Sequence, residues 1–367
     1  MFWRSTRIGR GSLLILALIG LAAIGIIELS LHKVKQPWFE QKLAAAKLAQ
    51  KAEFAIKNAI EGKHIVIDNL SDPNETGLIG EQFTLITTDQ GDLDAKLTTT
   101  NPNWAGVIVH LLKRARIRRG DYVAVGWTGS MPAMNIAVLS AIETIGAKPV
   151  IITSIGASMW GANNPDFSWL DMEKYLYDKG IFHYRSSAAS IGGKSDRGAN
   201  LSPKGRELCR KIAKRNDVPL IEEKTLDESI KKRMRIYRKE LPKGKRYRAY
   251  INVGGGVASV GSAHSIGIIK PGLTKTLPKI NYPLRGTMIL FGLKGVPVID
   301  ITDVKKLAKR YGLPISPQPI PKPPAGDVFY RNHYRTGLVA LILVLYSVLT
   351  FAVIRFDLKK FFEKRNS

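Results

Sequence analysis

Small polar residues that could bind or attack a ligand follow an apolar run near the middle of the chain. Residues 122–126 form a short, β-branched run that predicts a buried strand. Thr128, Gly129 and Ser130 turn the chain directly after it. Ligands of open α/β sheets bind where strands end, and the start of a following helix favours an anionic group. The structural alternative is a tight turn in which Ser130 caps the helix beginning at Met131.

A hydrolytic function would use Ser130 as the nucleophile and would need a base and an orienting carboxylate. His264 and His183 are the candidate bases, and Asp300 and Asp171 are the candidate carboxylates. The segment does not match the G-x-S-x-G elbow of α/β-hydrolases, and only geometry can choose among six histidines. The candidate catalytic residues are therefore Ser130, His264 and Asp300.

Further small residues are predicted at neighbouring strand ends. Residues 150–153 predict a second strand, which Ser158 and Asn163 follow, and residues 248–253 predict a third, which three glycines follow. Carboxyl ends of parallel strands meet at one edge of a sheet, so these residues should lie together. The predicted ligand-binding residues are Thr128, Gly129, Ser130, Ser158, Asn163, Gly254, Gly255 and Gly256.

The glycines after the third strand do not complete a dinucleotide fingerprint. Gly254 and Gly256 fit G-x-G-x-x-G, but Ser259 replaces the third glycine and no acidic residue follows about 20 positions on. NAD is therefore not expected, and no other cofactor is expected.

Cys209 is the one cysteine, so no intramolecular disulfide can form, and no paired Cys/His spacing predicts a metal site. Cys209 lies in a predicted helix capped by Ser202, where burial as a small apolar residue is expected.

The elements that must position these residues form a strand–helix–strand unit. Apolar residues recur at helical spacing between the first two strands, Pro132 falls in the first helical turn, and Gly146 can end the helix. Such a unit normally belongs to a parallel sheet covered by helices. Residues 295–303 predict a fourth strand with Asp300 near its end, leading into a helix at 304–311. The expected fold class is α/β, a parallel-sheet, Rossmann-like extracytoplasmic domain flanked by two transmembrane helices.

Other segments are predicted to support this sheet. A cap at Ser168 would place Asp171 at the third helical position, which gives Asp171 a structural explanation. Residues 190–198 form a glycine-rich, charged loop with no obvious strand before it. The further predicted helices cover residues 36–62, 104–116 and 167–179.

Apolar runs near both ends predict two membrane spans. Each is close to the roughly 20 residues that a helix needs to cross a bilayer, and the second contains no charge. Within ten residues of the spans, the tails hold seven Lys/Arg and the inner flanks hold four, whereas within twenty residues each side holds eight. The first span usually dominates, so the tails are expected in the cytoplasm, and the expected location is the bacterial inner membrane. The predicted organisation is a cytoplasmic tail (1–12), a span (13–31), an extracytoplasmic domain (32–313), a Pro-rich linker (314–335), a second span (336–354) and a basic cytoplasmic tail (355–367).

The central segment is strongly basic. Of the formal net charge of +26, the two ends contribute +2 and +3, which leaves +21 between the predicted spans. Residues 204–248 alone hold seventeen Lys/Arg against seven Asp/Glu. Such a charge attracts polyanions or anionic lipid faces. An extracytoplasmic location argues against nucleic acid and favours an acidic polymer or anionic head groups.

Several blocks resemble one family. Residues 128–135, 156–163 and 169–173 are similar to those of the poly-gamma-glutamate system proteins. The resemblance extends across nearly the whole chain, including residues 192–193, 196, 201–202 and 254–256. These are membrane proteins that accompany the synthetase and export components of poly-γ-glutamate production. The resemblance implies that biological context, with the polymer and the other subunits as partners, and implies no catalytic residues.

The expected function is that of a membrane-anchored accessory component of poly-γ-glutamate synthesis or export. Its basic external domain would bind the anionic polymer, with the loops near Ser130 as a cradle and residues 231–239 as an electrostatic surface. Two alternatives stay open. One is a γ-glutamyl hydrolase or transferase acting on the polymer, and the other is a structural subunit whose basic face meets lipid or protein.

Overall fold

The computed structural model describes residues 10–261, 269–278, 280–282 and 284–355. The chain divides into two compact units. One combines Met1–Gln36 with Tyr330–Ser367, and the other is Pro37–Phe329.

The described residues form twelve α-helices and eleven strands. The helices are α1 (Arg10–Leu29), α2 (Phe39–Gly62), α3 (Leu93–Thr99), α4 (Trp104–Arg114), α5 (Pro132–Ile145), α6 (Trp169–Asp178), α7 (Pro203–Arg215), α8 (Leu226–Lys239), α9 (Val257–Val260), α10 (Thr287–Leu293), α11 (Val304–Arg310) and α12 (Thr336–Arg355). The strands are β1 (His32–Lys35), β2 (Thr87–Asp89), β3 (Tyr122–Thr128), β4 (Lys148–Ser154), β5 (Ala157–Ser158), β6 (Ala188–Ser190), β7 (Leu220–Ile221), β8 (Tyr247–Val253), β9 (Gly272–Thr274), β10 (Val298–Ile301) and β11 (Tyr330–His333).

Seven of the described strands form one sheet in the Pro37–Phe329 unit. Their order is β7-β6-β4-β3-β8-β10-β9, and neighbours run parallel except β9, which is antiparallel to β10. The chain moves outward from β3 through β4, β6 and β7, and then returns to β8 on the other side of β3. The strand order therefore reverses between β3 and β8. A crevice forms at such a reversal in open parallel sheets, outside the carboxyl ends of the strands.

The central strands are apolar because helices cover the sheet. All of β3 after Tyr122 is buried, which agrees with the continuous apolar run of a strand in a parallel sheet. Tyr237 of α8 and Phe291 of α10 belong to the same buried core as Ala124 of β3. The ring of Tyr250 on β8 stacks on Phe291 with centroids 4.9 Å apart. Helices α8 and α10 thus contribute their apolar side chains to the core beneath β3 and β8.

The other compact unit contains both apolar helices. Helices α1 and α12 are each 20 residues long and apolar enough to cross a bilayer. The Tyr346 hydroxyl donates to the Leu16 carbonyl oxygen at 3.2 Å, and the Tyr334 hydroxyl donates to the Glu28 carboxylate at 2.9 Å. Strands β1 and β11, next to these helices in the sequence, pair in antiparallel register. The sequence did not predict this pairing, because the signal is split between segments about 300 residues apart.

Most predicted elements of the α/β domain are confirmed within a few residues. Pro132 begins α5 and Gly146 ends it in the left-handed conformation. Ser168 and Asp171 form the predicted capping box at α6, and Ser202 caps α7, in which Cys209 is fully buried.

Two local predictions are wrong. Met131, rather than Ser130, is the N-cap residue of α5, and no side chain caps that helix. The predicted glycine-rich loop does follow a strand, β6, which was missed because Ala188–Ser190 is only three residues long.

The Pro-rich segment packs on the domain: the carbonyl oxygen of Pro317 accepts a hydrogen bond from Asn74, and the Ser316 N–H donates to Thr98.

We predict that Gly126→Ala in β3 destabilises the protein by about 1–3 kcal/mol through overpacking. A Cβ atom at Gly126 would lie 2.2 Å from the Tyr250 hydroxyl oxygen. That ring cannot yield freely, because its hydroxyl is bonded to Ser259 and Thr287 at 2.7 Å each. Urea unfolding of the full-length chain in detergent measures the loss.

Gly62→Ala is the matched control. Gly62 ends α2, and a Cβ atom there meets nothing within 4 Å. Alanine favours helix over glycine, so the control should leave stability unchanged or raise it by up to about 1 kcal/mol. Equal losses for the two variants would contradict the packing argument.

Candidate functional site

A crevice of about 470 Å³ opens at the carboxyl edge of the sheet, where the strand order reverses. Thr128 and Ser130 follow β3, Ser154 ends β4, and Gly254–Gly256 follow β8. Segments outside the sheet close the crevice. Its further lining residues are Thr88, Asp89, Gln90, Met131, Gly156, Ser158, Gly193, Lys194, Asn200 and Val257.

The glycine loop after β8 lies directly against Thr128. Gly254 has φ +79°, and a Cβ atom on it would lie 3.0 Å from the Thr128 hydroxyl oxygen. A Cβ atom on Gly256 would lie 3.0 Å from the Thr128 methyl carbon. The Asn135 side chain donates to the Thr128 carbonyl oxygen at 2.9 Å and fixes the turn from the other side. Because these glycines have no side chain, the loop after β8 can lie close to Thr128 without filling the crevice.

Ser130 and Ser158 bond to each other across the crevice wall. The Ser158 N–H donates to the Ser130 hydroxyl oxygen at 3.0 Å, and the Ser130 N–H donates to the Thr128 hydroxyl at 3.2 Å. Both serine side chains are half-buried and line the crevice. The hydroxyl of Ser130, expected as a helix cap, is therefore used to hold Ser158 in place.

Lys96 lies behind these two serines. It belongs to α3, is only 3 % exposed, and donates from Nζ to the Ser158 hydroxyl oxygen at 2.7 Å and to the Ser130 carbonyl oxygen. Within the described residues, no carboxylate forms an ion pair with it. Burial lowers the pKa of Lys96 to about 7, and the more distant charge of Asp92 only partly opposes this. An amine with such a pKa can exchange a proton with a neighbouring hydroxyl near neutral pH.

A buried ion pair lies beside the crevice floor. Asp196 and Arg233 are each about 2 % exposed, and their closest atoms are 2.9 Å apart. Arg233 also donates to the hydroxyl oxygens of Ser154 at 3.1 Å and Ser190 at 2.7 Å, while the Ser229 hydroxyl donates to Asp196. This network joins the ends of β4 and β6 to α8. Arg233 was expected on an exposed basic surface, and that expectation is wrong: helical spacing turns Arg233 and Tyr237 inward.

A second concave surface, which we call the basic cleft, lies at the opposite edge of the sheet. It encloses about 580 Å³ where β8 and β10 begin, roughly 20 Å of strand from the crevice. Among the described residues, its lining contains six cations and no carboxylate. None of the six forms a side-chain hydrogen bond or ion pair with another residue in the described part of the chain. They are Arg116, Arg238, Lys245, Arg246, Arg248 and Lys294.

Three of the predicted site residues that the structure describes, Asn163, Asp300 and Gly129, are not in the crevice lining. Asn163 is fully buried, accepts from the Glu81 N–H at 3.0 Å and donates to the Thr87 hydroxyl at 3.0 Å, so its side chain joins loops. Asp300 is 1 % exposed and accepts from Asn252 at 2.8 Å and Thr302 at 2.7 Å. Burial raises the pKa of Asp300. Gly129 is buried beside the lining residues Thr128 and Ser130.

Of the two expected bases, only His183 is described, and its hydrogen bonds do not link it to Ser130. His264 lies outside the described residues. His183 is exposed and bonds to Glu143 at 3.2 Å, and Asp171 is bonded to Ser168 and Arg215. Among the described residues, no group of three or more His, Cys, Asp or Glu side chains could hold a metal ion.

Sequence reasoning missed Lys96 and the basic cleft. The segment 92–100 has an Asp cap followed by helix-forming residues, but one short helix gives no sign of which side is buried. The cleft cations come from four segments of the chain, and only folding brings them together. In the sequence, these cations were visible only as part of the general excess of Lys and Arg, which does not show where they meet.

Comparisons with protein-family models, curated proteins and solved structures found no match to this chain.

We predict that Asp196→Ala costs about 3–5 kcal/mol of stability, because it leaves the Arg233 charge buried without its partner. Replacing both residues by apolar ones, Asp196→Leu with Arg233→Met, should recover part of that loss. Glu222→Ala is the control, since Glu222 pairs with Arg210 on the surface and should cost less than about 1 kcal/mol. Urea unfolding compares the three variants, and equal losses for the two single variants would contradict the prediction.

We also predict that Lys96→Met removes a pH-dependent cost. In the wild type, the folded amine has a pKa of about 7 and the unfolded amine one of about 10.5. The cost of burial is therefore absent above the unfolded value, grows as pH falls, and is complete below about 7. As pH rises between these two values, the unfolding free energy of the wild type should increase relative to that of the variant by up to about 1.4 kcal/mol per pH unit. A difference in unfolding free energy that stays constant from pH 7 to 10 would contradict this.

Proposed function

We propose that this chain is a membrane-anchored component of poly-γ-glutamate synthesis or export, and that its basic cleft binds the anionic polymer. The observation that carries the proposal is a concave surface whose described lining holds six cations and no carboxylate, and whose cations pair with no other described residue. Cations that lack internal partners are available to an external anion. The cleft therefore supplies a specific location for the attraction expected from a net charge of +21.

The chemistry of the cleft suits a chain of carboxylates. Arg116, Arg238, Lys245 and Arg246 are exposed, so each contact with a carboxylate in water contributes less than about 1 kcal/mol. A polymer that carries one carboxylate per residue engages several such cations at once, and binding strength then accumulates through multivalency. Tyr247, Phe291 and Val296 add an apolar floor against which an aliphatic backbone can lie.

The cleft replaces the strand-end crevice as the proposed polymer-binding surface. The charged groups in the described lining of the crevice are Asp89 and Lys194, which offset each other. Of the basic side chains in the predicted run at 231–239, Arg238 is the one in the described lining of the cleft.

Membrane placement completes the proposal. The apolar helices α1 and α12 are proposed to span a bacterial cytoplasmic membrane with both tails inside. Within ten residues of the spans, the tails hold more Lys and Arg than the inner flanks, which supports this orientation. The Rossmann-like domain, as we interpret the parallel sheet, is then extracytoplasmic, where an exported acidic polymer passes and nucleic acid does not. The resemblance to the poly-gamma-glutamate system proteins supports the same context.

We predict that charge reversal in the cleft weakens polymer binding at least tenfold, which corresponds to about 1.4 kcal/mol. The test variant combines Arg238→Glu, Lys245→Glu and Arg248→Glu. Binding of fluorescent poly-γ-glutamate is measured by anisotropy, with the full-length chain in nanodiscs of zwitterionic lipid. Affinity of the wild type should fall as salt rises, because exposed charges are screened.

The matched control combines Lys47→Glu, Lys51→Glu and Lys309→Glu, which changes the net charge equally through exposed lysines outside the cleft. It should weaken binding by less than about threefold. Equal losses for both triple variants would assign binding to net charge alone and remove the cleft from the proposal. Absence of binding by the wild type would leave a structural subunit of the synthesis complex.

A further inference from the structure

Lys96 is an unusual residue for a purely structural position. Its amine is nearly excluded from water, and its described hydrogen-bond partners are a carbonyl oxygen and a serine hydroxyl. Keeping a positive charge there costs free energy, because neither partner carries a compensating negative charge. Methionine or leucine would fill the same space without that cost. Buried ionisable groups of this kind, next to a crevice, mark candidate functional sites.

Ser158 occupies the position that such an amine can serve. The Ser158 hydroxyl oxygen lies 2.7 Å from Lys96 Nζ. Ser158 also lines the crevice, so a ligand in the crevice can approach a residue that is already bonded to the amine. The Ser158 N–H is fixed by Ser130 at 3.0 Å, and β5 pairs with β2. A neutral amine can donate to the Ser130 carbonyl oxygen and accept the Ser158 hydroxyl proton at the same heavy-atom distances.

We propose that Ser158 and Lys96 form an acyl-transfer site in the crevice, with Ser158 as the nucleophile and Lys96 as its general base. This is an activity beyond polymer binding, at the opposite edge of the sheet from the basic cleft. Its substrate class is an amide or ester carbonyl.

The proposed steps balance without a co-reactant other than water. The Ser158 oxygen bonds to the carbonyl carbon while its proton moves to Lys96 Nζ, which forms a tetrahedral intermediate and an ammonium group. The intermediate expels the amine or alcohol, which takes the proton from Lys96, and the acyl group stays on Ser158 as an ester. Water then attacks that ester while Lys96 Nζ again accepts a proton. The ammonium group returns a proton to the Ser158 oxygen as the ester bond breaks, which releases the carboxylic acid and restores the Ser158 hydroxyl.

Ser130 is assigned a second role at the same site. Its hydroxyl accepts the Ser158 N–H, and an accepting hydroxyl keeps its own hydrogen for donation. Since Ser130 lines the crevice, that hydrogen can bond the carbonyl oxygen on which negative charge develops. Ser130 therefore contacts the substrate without supplying the nucleophile.

The crevice walls indicate a slim polar substrate. Glycine, serine and threonine make up much of the lining, and these short side chains suit a polyamide backbone. Choosing the γ-linked polymer as that polyamide rests on the proposed function, whereas the Ser158–Lys96 chemistry does not. The charged groups on the elements around this pair include Asp92, which is bonded to Lys305, and Asp94, which is bonded to Ser316. Asp89 and Lys194 lie on the crevice wall.

The first test treats the full-length chain in detergent with a fluorophosphonate, a reagent that phosphonylates activated serines, and locates the adduct by mass spectrometry. We expect the adduct on Ser158, with a rate that rises about tenfold per pH unit below the pKa of Lys96, about 7, and levels off above it. No adduct on Ser158 between pH 6 and 9, or a rate independent of pH, would overturn the proposal. This arm needs only the wild type, so a misfolded variant cannot obscure it.

Variants then separate base catalysis from structure. Lys96→Arg keeps a permanent positive charge that cannot accept the proton, and should slow labelling at least about 100-fold. Lys305→Arg is the matched control, because it retains a cation next to Asp92 without contacting Ser158, and should label at the wild-type rate. Folding of each variant is checked by its unfolding midpoint. A folded Lys96→Arg variant that labels at the wild-type rate would overturn the proposal.

The substrate arm incubates the wild type and Ser158→Ala with poly-γ-glutamate and follows chain length by gel filtration. Shortening by the wild type and not by the variant supports the polymer as the acyl donor. Unchanged length with Ser158 labelled overturns the polymer as substrate and leaves the acyl-transfer site standing. Because labelling and chain length are measured separately from retention in the basic cleft, failure of one proposal is distinguishable from failure of the other.

Discussion

The buried ion pair between Asp196 and Arg233 is the interaction on which the carboxyl edge of the sheet depends. Breaking it would leave a charge in the interior, so the loop that carries Asp196, the ends of β4 and β6, and α8 are constrained to one arrangement. Ser154, held by Arg233, contributes to the floor of the crevice. The shape of this edge is therefore set by two residues that are not in the described lining of the crevice.

The parallel sheet separates the two proposed kinds of chemistry, polyanion binding and acyl transfer. All strand beginnings except that of β9 lie at one edge, where the basic cleft collects cations from β8, the end of α8 and the turn before β10. The carboxyl ends lie at the other edge, where backbone turns and small side chains leave room for a crevice. About 20 Å of strand keeps them apart, so attraction of a polyanion and covalent chemistry on a carbonyl need not compete for the same groups.

Lys96 illustrates how burial alone changes what a side chain can do. Removing water disfavours the ammonium form, so a lysine that would stay charged on the surface becomes able to exchange protons near pH 7. The serines around it are ordinary in the sequence. Their reactivity, as proposed, comes from the amine behind them and from the hydrogen bond that fixes Ser158 to Ser130.

The sequence by itself determined the local elements, because helix and strand periods, the Ser168–Asp171 capping box, Pro132 and Gly146 act over a few residues. It also determined the two apolar helices and the excess of positive charge, which are properties of composition. Only the tertiary structure decided which face of α3 and α8 is buried, and therefore that Lys96 and Arg233 leave the solvent. It likewise decided that Ser130 bonds Ser158 rather than capping α5, and that six cations from four segments surround one cleft. These outcomes depend on contacts between residues far apart in the chain, which no local pattern encodes.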